Sequence, residues 1–368
     1  MLKIPTENQK ERELVATLKL LSPGTSLRAG IDYIIQAKTG GLIVVGDSPE
    51  ILNLTEGGFR INCQFTPTRL SELAKMDGAI ILSSDMKRIA RANVTLMVNP
   101  SIVSNETGLR HRAAEKFAKE TGHLVLAVSR RRNTLTLYTK NQRYLFRDRP
   151  VLVSGANQAM LALTQYVKTM QHVVATLNWA ELNGTVTLSN VIMAIQVCER
   201  VRRTEHELNR YRIELGTEAQ SLQLIPSELS TEIERALFII KDYYREKERD
   251  EYQTYEQIFG LSATDLAAEN SITEALGYPR DFNDSLETLV PRGYRMLSQI
   301  PRIPMNIVEN IVQNFKTLDA IITSNIDALQ NVDGVGKTRA AAIKEALVQM
   351  KTGTSQPQVL ALPIYDWD

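Results

Sequence analysis

Three consecutive side chains in the first half of the chain have the chemistry to bind an anion. Arg110, His111 and Arg112 follow Gly108 in "ETGLRHRAAEKFAKETG" and lead into a run of Ala, Glu and Lys that is typical of a helix. Guanidinium groups match phosphate oxygens, and a helix N-terminus adds partial positive charge. A solvated turn at a helix start would carry the same residues. The motif by itself therefore leaves two interpretations, a plain surface turn and an anion site.

An acidic side chain stands before two small residues in "KMDGAIILSSD", at 75–85. Asp77 precedes Gly78 and Ala79, which open a β-branched run that is typical of a buried strand. Such small side chains let a bulky ligand lie against the backbone, while the carboxylate holds a metal ion or a hydroxyl. Asp-Gly is also a common turn dipeptide, so an ordinary turn stays open for this motif alone.

A third stretch, "AVSRRRNTLTLY", ends a predicted strand in Ser129 and three arginines. Basic residues outnumber acidic ones by eleven to three between 109 and 149, although the whole chain has 43 Lys and Arg against 42 Asp and Glu. A solvated basic face would explain this count. It would not explain the combination with Asp77 and the Gly-rich turns, which favours a nucleotide site.

The last helical segment contains a tight turn in "NVDGVGKTRAAAIKEAL". Gly334, Val335 and Gly336 separate two helix-like runs and permit a turn whose backbone N–H groups point outward to an anion. Lys337 and Arg339 would add charge near a phosphate. This spacing is typical of a helix-hairpin-helix that grips a nucleic-acid backbone without reading its sequence, and a plain packing unit is the alternative.

A P-loop is excluded at this turn, although "GVGKT" resembles the end of one. Asn331 stands where the first glycine is required, and no strand precedes it. The stretch "MLSQIPRIPMNIVENIVQNF", at 296–315, has the same helix–turn–helix rhythm, with "IPRIP" in the place of "VDGVG". The two units together predict a compact domain that spans two nucleic-acid backbones.

The elements that must position these residues change in character along the chain. Short apolar runs ("GLIVVGD", "GAIILSSD", "HLVLAVS", "NTLTLYT") predict strands, and "SLRAGIDYIIQAKTG", "TPTRLSELAKM" and "HRAAEKFAKETG" predict helices between them. We therefore expect an α/β nucleotide domain at 1–150, with a mixed central sheet covered by helices. We expect this domain to be followed by an all-α middle domain at 151–284, a small all-α helix-hairpin-helix domain at 285–352 and a tail at 353–368.

The middle domain shows long helical periodicity and no residue pattern with chemistry, which is typical of a spacer that also packs subunits together. Its last predicted helix is "STEIERALFIIKDYYREKERD". Two cysteines far apart in the chain exclude a disulfide framework and a cysteine zinc site. The polar N-terminal residues do not resemble a secretory signal, and no apolar run approaches the roughly 18 residues that span a bilayer. We expect a cytoplasmic protein without a membrane partner.

Four stretches together resemble the DisA family of DNA integrity scanning proteins. They are "FTPTRLSELAKMDGAIILS", "RANVTLMVNPSI", "ETGLRHRAAEK" and "VSRRRNTLTLY", in this order and followed by the helical segments. The resemblance extends over essentially the whole chain and implies a diadenylate cyclase that condenses two ATP into cyclic di-AMP and two pyrophosphates. It also implies a homo-octamer with face-to-face nucleotide domains, and duplex or branched (Holliday-junction-like) DNA that restrains synthesis from the C-terminal domain.

The resemblance further implies roles for individual residues. Asp77 would hold Mg²⁺ or Mn²⁺ and orient the attacking ribose hydroxyl, and Arg110, His111 and Arg112 would act in catalysis by binding the phosphates. The implied ATP-binding set comprises Gly78, Ala79, Leu96, Thr107, Gly108, Leu109, Arg110, His111, Arg112, Ala113, Ser129, Arg130 and Arg132.

Three positions depart from the family pattern, which usually has threonine where this chain has Leu109 and Ala113, and an acidic residue where it has Arg130. The replacements at 109 and 113 each remove a hydroxyl from the surroundings of the phosphates. A non-catalytic DNA-binding scaffold that binds ATP or cyclic di-AMP is therefore the alternative to an active cyclase.

Overall fold

The computed structural model divides into two units by contacts between residues. Each unit has its own hydrophobic core. The residues that the structure describes are 9–140, 142–221, 238–245, 251–284 and 287–353. Within them, the N-terminal unit comprises 9–158 and 208–221, and the helical unit comprises 159–207 and the described part of 238–353.

The N-terminal unit alternates helices and strands. Its elements are α1 Gln9–Leu20, α2 Ser26–Gln36, β1 Gly41–Val45, α3 Pro49–Asn53, β2 Thr55–Glu56, β3 Phe59–Gln64, α4 Pro67–Leu73, β4 Ala79–Leu82, β5 Arg88–Leu96, α5 Leu109–Thr121, β6 Leu124–Val128, β7 Leu135–Tyr138 and β8 Arg143–Leu145. The four strands expected from apolar runs are confirmed as β1, β4, β6 and β7, and the three expected helices are confirmed as α2, α4 and α5. Strands β3 and β5 escape such an analysis because polar residues alternate through them.

All eight strands belong to one mixed sheet. The order is β2-β5-β4-β1-β6-β7-β8, and β3 also pairs with β5. Strands β1 and β4 are parallel, with Ile43 beside Ile80, whereas β1 and β6 are antiparallel, with Gly41 beside Val128. The starts of β1 and β4 and the end of β6 therefore lie at the same edge of the sheet. The Asp77 motif and the loop at 129–134, which we call the arginine loop, both lie at that edge.

Helices cover both faces of this sheet, as its strands predict. Ile43 and Leu126 pack into a core with helices α1, α2 and α4, while their neighbours Val44 and Ala127 pack into a second core that includes Phe117 of α5. This alternation follows from the two-residue period of a strand, and near-continuous apolar strands are typical of a sheet covered on both sides. Helix α5 is thereby fixed against one face of the sheet.

The remaining described residues are helical. They form α6 Arg149–Asn183, α7 Leu188–Leu215, a 3₁₀ helix at Gly216–Ser221, α8 at 238–243, α9 Glu251–Gly260, α10 Ala263–Ala267, α11 Glu269–Ala275 and a 3₁₀ helix at Arg280–Asp284. The helix expected from "STEIERALFIIKDYYREKERD" lies largely outside the described residues, which retain α8 of it. The mixed sheet followed by helices confirms the expected fold class at that level.

The C-terminal helices are short except for the last. They are α12 Tyr294–Ser298, α13 Met305–Phe315, α14 Leu318–Thr323, α15 Ile326–Gln330 and α16 Lys337–Gly353. Side chains from both predicted helix–turn–helix units, such as Ile311 and Ile343, share one core. The domain boundaries expected at 150/151 and 284/285 stay a prediction, and the tail from 354 onward lies outside the described residues. No helix within the described ranges is long and apolar enough to cross a membrane.

Candidate functional site

A strained turn presents Asp77 at the start of β4. Gly78 has φ of +90°, and a Cβ there would lie 2.9 Å from the carbonyl carbon of Asn93 and from the Val94 oxygen. Only glycine fits both the positive φ and the close approach of the neighbouring backbone, because it has no Cβ to clash or to disfavour this conformation. Ala79 is buried and pairs with Val94, while the Asp77 side chain is 91% exposed. The carboxylate is thus displayed at the edge of the sheet.

Arg110, His111 and Arg112 form the RHR motif in the first turn of α5. The N-terminus of α5 brings Arg110 to the Asp77 carboxylate. Gly108 is the N-cap residue and provides no side-chain cap, and Leu109 is 83% exposed in the first turn. Arg110 Nη2 donates to Asp77 Oδ1 at 2.6 Å. Two motifs separated by more than thirty residues therefore form one charged cluster, next to backbone N–H groups that favour an anion.

Gly40 completes this cluster and was not singled out from the sequence. It has φ of +72° directly before β1, and a Cβ there would lie 2.8 Å from Arg110 Nη1 and 3.2 Å from Arg130 Cβ. A side chain at residue 40 would thus collide with both arginines. The signal that was available is the Gly40-Gly41 pair before a strand, which reads equally well as the stop of helix α2.

The arginine loop is a tight turn between β6 and β7. Ser129 donates its N–H to the Thr134 carbonyl and accepts the N–H of Asn133, both at 2.9 Å. The Ser129 Oγ accepts the N–H of Arg132 at 3.2 Å. Arg130 and Arg132 are exposed, so their guanidinium groups are available at the sheet edge that carries Asp77.

A hydrogen-bonded chain lies behind the RHR motif and was missed by sequence reasoning. His111 Nδ1 lies 3.1 Å from the Tyr138 hydroxyl, and that hydroxyl donates to Glu106 Oε1 at 2.8 Å. Arg143 Nε donates to the same oxygen at 2.5 Å. Arg112 Nε donates to the Glu106 carbonyl at 3.2 Å. Glu106 thus ties β7, β8 and the start of α5 together, and no motif links these three elements in the sequence.

The pKa values of His111 and Glu106 in this hydrogen-bonded chain are both lowered, for different reasons. Burial lowers the pKa of His111; Glu106 acts against this, and Arg143, Arg132 and Arg110 lower it further. Burial by itself raises the pKa of Glu106, but hydrogen bonds from Tyr138 and Arg143 outweigh it and hold that pKa below its ordinary value. The site therefore holds an ionised glutamate and a neutral histidine around pH 7.

The other sequence-predicted residues lie around this cluster in different environments. Leu96 is 8% exposed at the end of β5, on the sheet face that α5 covers, and Ala113 packs partly buried against the same core. Thr107 and Gly108 are exposed before α5. The Ala113 side chain is therefore turned toward the sheet, whereas Leu109 faces solvent.

The C-terminal turn has an inner and an outer part. Val335 is 4% exposed, and its N–H donates to the Val332 carbonyl at 3.0 Å, so it packs the turn into the core. Gly334 has φ of +80°, and a Cβ there would collide with Ile307. Arg339 Nη1 donates to the Gly334 carbonyl at 2.7 Å. Gly336 and Lys337 are exposed at the start of α16 and form the outer part.

Comparison with known proteins identifies the family. The nucleotide-binding region of the DisA bacterial checkpoint controller matches residues 28–143, and the linker region of that controller matches 146–285. The DNA integrity scanning protein DisA of Clostridium tetani is 45% identical over 345 residues, which is 93% of this chain and 95% of that protein. The chain belongs to the DisA family. The DNA integrity scanning protein DisA of Clostridium kluyveri is also 45% identical, over 93% of this chain and 97% of that protein.

The DisA nucleotide-binding match encloses the whole charged cluster, from Gly40 to Arg143. Within the described ranges, no group of three or more His, Cys, Asp or Glu side chains could hold a metal ion. Asp77 would therefore be a single carboxylate ligand for a metal ion, without a cluster of further protein ligands in the described part of the chain. That donor fits Mg²⁺ or Mn²⁺ of a nucleotide, because such an ion takes one or two carboxylates and completes its shell with phosphates and water.

Proposed function

We propose that this chain is a diadenylate cyclase that condenses two ATP into cyclic di-AMP and two pyrophosphates. The observation that carries the proposal is the meeting of Asp77 and Arg110 at 2.6 Å inside the part that matches the DisA nucleotide-binding region. An exposed carboxylate beside phosphate-binding cations at a helix N-terminus is the donor set that a metal-bound nucleoside triphosphate needs.

Two groups of residues bind different parts of the ATP molecule, one the triphosphate and the other the nucleoside. His111 and Ser129 bind the triphosphate together with Arg110, Arg112, Arg130 and Arg132. The fixed positive charge of the four arginines stabilises the leaving pyrophosphate. The nucleoside lies against Gly78, Ala79, Leu96, Thr107 and Gly108. Asp77 holds the metal ion, which supplies charge neutralisation at the phosphates, and orients the ribose hydroxyl.

The reaction forms one bond and breaks one bond, twice. A ribose 3′ oxygen attacks the α-phosphorus of the opposing ATP, the bond from that phosphorus to the bridging oxygen of pyrophosphate breaks, and the hydroxyl proton is released. One nucleotide domain supplies one ATP, so ring closure requires two domains face to face. We therefore propose a homo-octamer built on such pairs, as the resemblance implies, and expect the rate to depend on assembly.

The product assay separates this function from its alternative. Incubation with ATP and Mn²⁺, followed by chromatography with mass detection, is expected to yield cyclic di-AMP. Bound ATP without product would instead establish the scaffold that Leu109 favours, since this residue exposes a side chain without a hydroxyl in the first turn of α5. Leu109→Thr then restores product if the missing hydroxyl is the cause.

We further propose that the C-terminal turn binds the backbone of duplex or branched DNA and that this binding modulates synthesis. Support comes from Gly336 and Lys337, which are exposed at the start of α16, a helix of 17 residues. The full-length variant Lys337→Glu is expected to weaken junction DNA binding and to reduce its salt dependence by about one charge. Lys351→Glu on the same helix, far from the turn, is the matched control. Equal affinity for both variants contradicts the proposal.

We propose a cytoplasmic location, because ATP and DNA are both present there. The two functions, synthesis at the sheet edge and DNA binding at the C-terminal turn, are tested separately by the two assays above.

A further inference from the structure

The hydrogen-bond chain behind the RHR motif fixes the tautomer of His111. The Tyr138 hydroxyl donates to Glu106 Oε1 at 2.8 Å, so its single proton is committed to that carboxylate. The same hydroxyl can then only accept from His111 Nδ1, 3.1 Å away. His111 therefore carries a proton on Nδ1, and Nε2 has no partner among the described residues.

Ionised Glu106 stabilises this arrangement, in which His111 donates to Tyr138 and Tyr138 donates to Glu106. Its carboxylate takes two donors on Oε1, from Tyr138 and from Arg143. Burial and this hydrogen bond raise the pKa of the Tyr138 hydroxyl far above its ordinary value, so the phenol stays protonated. The direction of donation along the chain is thus set at its carboxylate end.

Charges of both signs face the imidazole. Glu106 lies on the loop before α5, while Arg110 lies on α5, Arg132 on the β6–β7 loop and Arg143 on β8. Burial of the ring, together with three cations against one anion, lowers the His111 pKa and keeps the ring neutral in the free protein. A triphosphate would reverse this balance, because it brings several negative charges to the same cations.

We propose that Glu106 and Tyr138 are positioning residues that hold His111 by Nδ1, so that Nε2 takes up a proton and donates a hydrogen bond to the triphosphate when ATP binds. This inference rests on the proposed nucleotide site. Bound this way, the imidazolium has one nitrogen on Tyr138 and the other on a phosphate oxygen, and the nearby Glu106 charge compensates it. The proton comes from solvent, and the N–H bond at Nε2 is the one bond that forms.

Proton uptake on binding tests the proposal directly. An ATP analogue with a non-cleavable α,β-bridge is titrated calorimetrically into the full-length protein around pH 7, in two buffers of different ionisation enthalpy. Wild type is expected to take up more protons per ligand than His111→Gln, by a difference approaching about one. The titration of the ligand itself cancels in this difference. Equal proton numbers overturn the proposal.

The positioning role is tested by the pH profile of binding. Glu106→Gln removes the compensating charge, so the rise in affinity as the pH falls is expected to shift to lower pH. Tyr138→Phe removes the acceptor for Nδ1–H and is expected to shift it in the same direction. Should the Phe variant fail to fold, Glu106→Gln carries the test. A profile identical to wild type in Glu106→Gln refutes the role of that residue.

Glu115, on the helix α5 that also carries His111, provides a matched control for Glu106. Glu115 accepts from Ser104 and Lys119, is as little exposed as Glu106, and does not face His111. Glu115→Gln is expected to keep the wild-type proton number and pH profile. Failure of wild type to bind the analogue at all would refute the nucleotide site itself, whereas binding without proton uptake refutes only this inference.

Discussion

Arg110 Nη2 donates to Asp77 Oδ1 at 2.6 Å and joins the start of α5 to the start of β4. The Asp77 side chain is 91% exposed and that of Arg110 is 34% exposed. An ion pair so accessible to water contributes at most about 1 kcal/mol to folding. The pair therefore contributes little to stability, and under the proposed function a nucleotide with its metal ion would take over both partners.

Asp77→Asn is expected to abolish cyclic di-AMP synthesis while leaving the free energy of unfolding within about 0.5 kcal/mol of wild type. The amide keeps the shape of the side chain but loses the charge that a metal ion requires. Product formation and chemical denaturation measure the two effects. Asp47→Asn is the control, since Asp47 forms a comparable pair with Arg88 at 2.9 Å beyond the other end of β1. Synthesis that persists in Asp77→Asn moves the metal to another residue.

Gly40→Ala is expected to lower affinity for the ATP analogue about tenfold, because the new Cβ would lie 2.8 Å from Arg110 Nη1 and displace that guanidinium. It should also cost about 1 kcal/mol of stability through its positive φ. Gly57→Ala is the matched control, with φ of +69° and no atom within 4 Å of its Cβ. It should lose similar stability and no affinity. Equal affinity losses in the two variants would mean that Gly40 acts through the backbone alone.

Glu106 predicts a definite pH dependence of stability. Its pKa is lowered on folding, so its contribution is fully present above the unfolded value near 4.5 and is lost as the pH falls through the folded value. Wild type is therefore expected to exceed Glu106→Gln in stability at neutral pH, and the gap should close on acidification below pH 4.5. Urea denaturation at a series of pH values measures this gap. A gap that widens in acid contradicts the assigned direction.

Arg295→Met is expected to destabilise the helical unit by about 3–5 kcal/mol. Arg295 is 1% exposed and pairs through Nη2 with buried Glu181, so the variant leaves a carboxylate without its counter-ion. Arg280→Met, which breaks an exposed pair with Glu274, should change stability by less than about 1 kcal/mol. Denaturation of the full-length variants compares them. Adding Glu181→Leu to Arg295→Met should recover part of the loss, since the unpaired charge is then removed.

The elements of the N-terminal unit could be predicted where one physical signal dominates. Runs such as 41–45 and 124–128 are apolar throughout, because the sheet is covered on both faces, and no other element of that length requires this. Strand β5 could not be found in the same way. Its polar residues alternate with buried ones, and its pairing with β2, β3 and β4 depends on segments distant in the chain.

The sequence by itself determined the chemistry of the candidate site: Asp77, the RHR motif and the arginine loop are local patterns, and their residue types already indicate a phosphate ligand. Only the tertiary structure decided which groups meet. The pairing of β1 with β6 and the packing of α5 bring Gly40 close to Arg110 and Arg130, and the packing of α5 on β7 joins His111 to Tyr138 and Glu106. Such contacts arise from strand pairing and helix packing between distant segments, for which no local pattern exists.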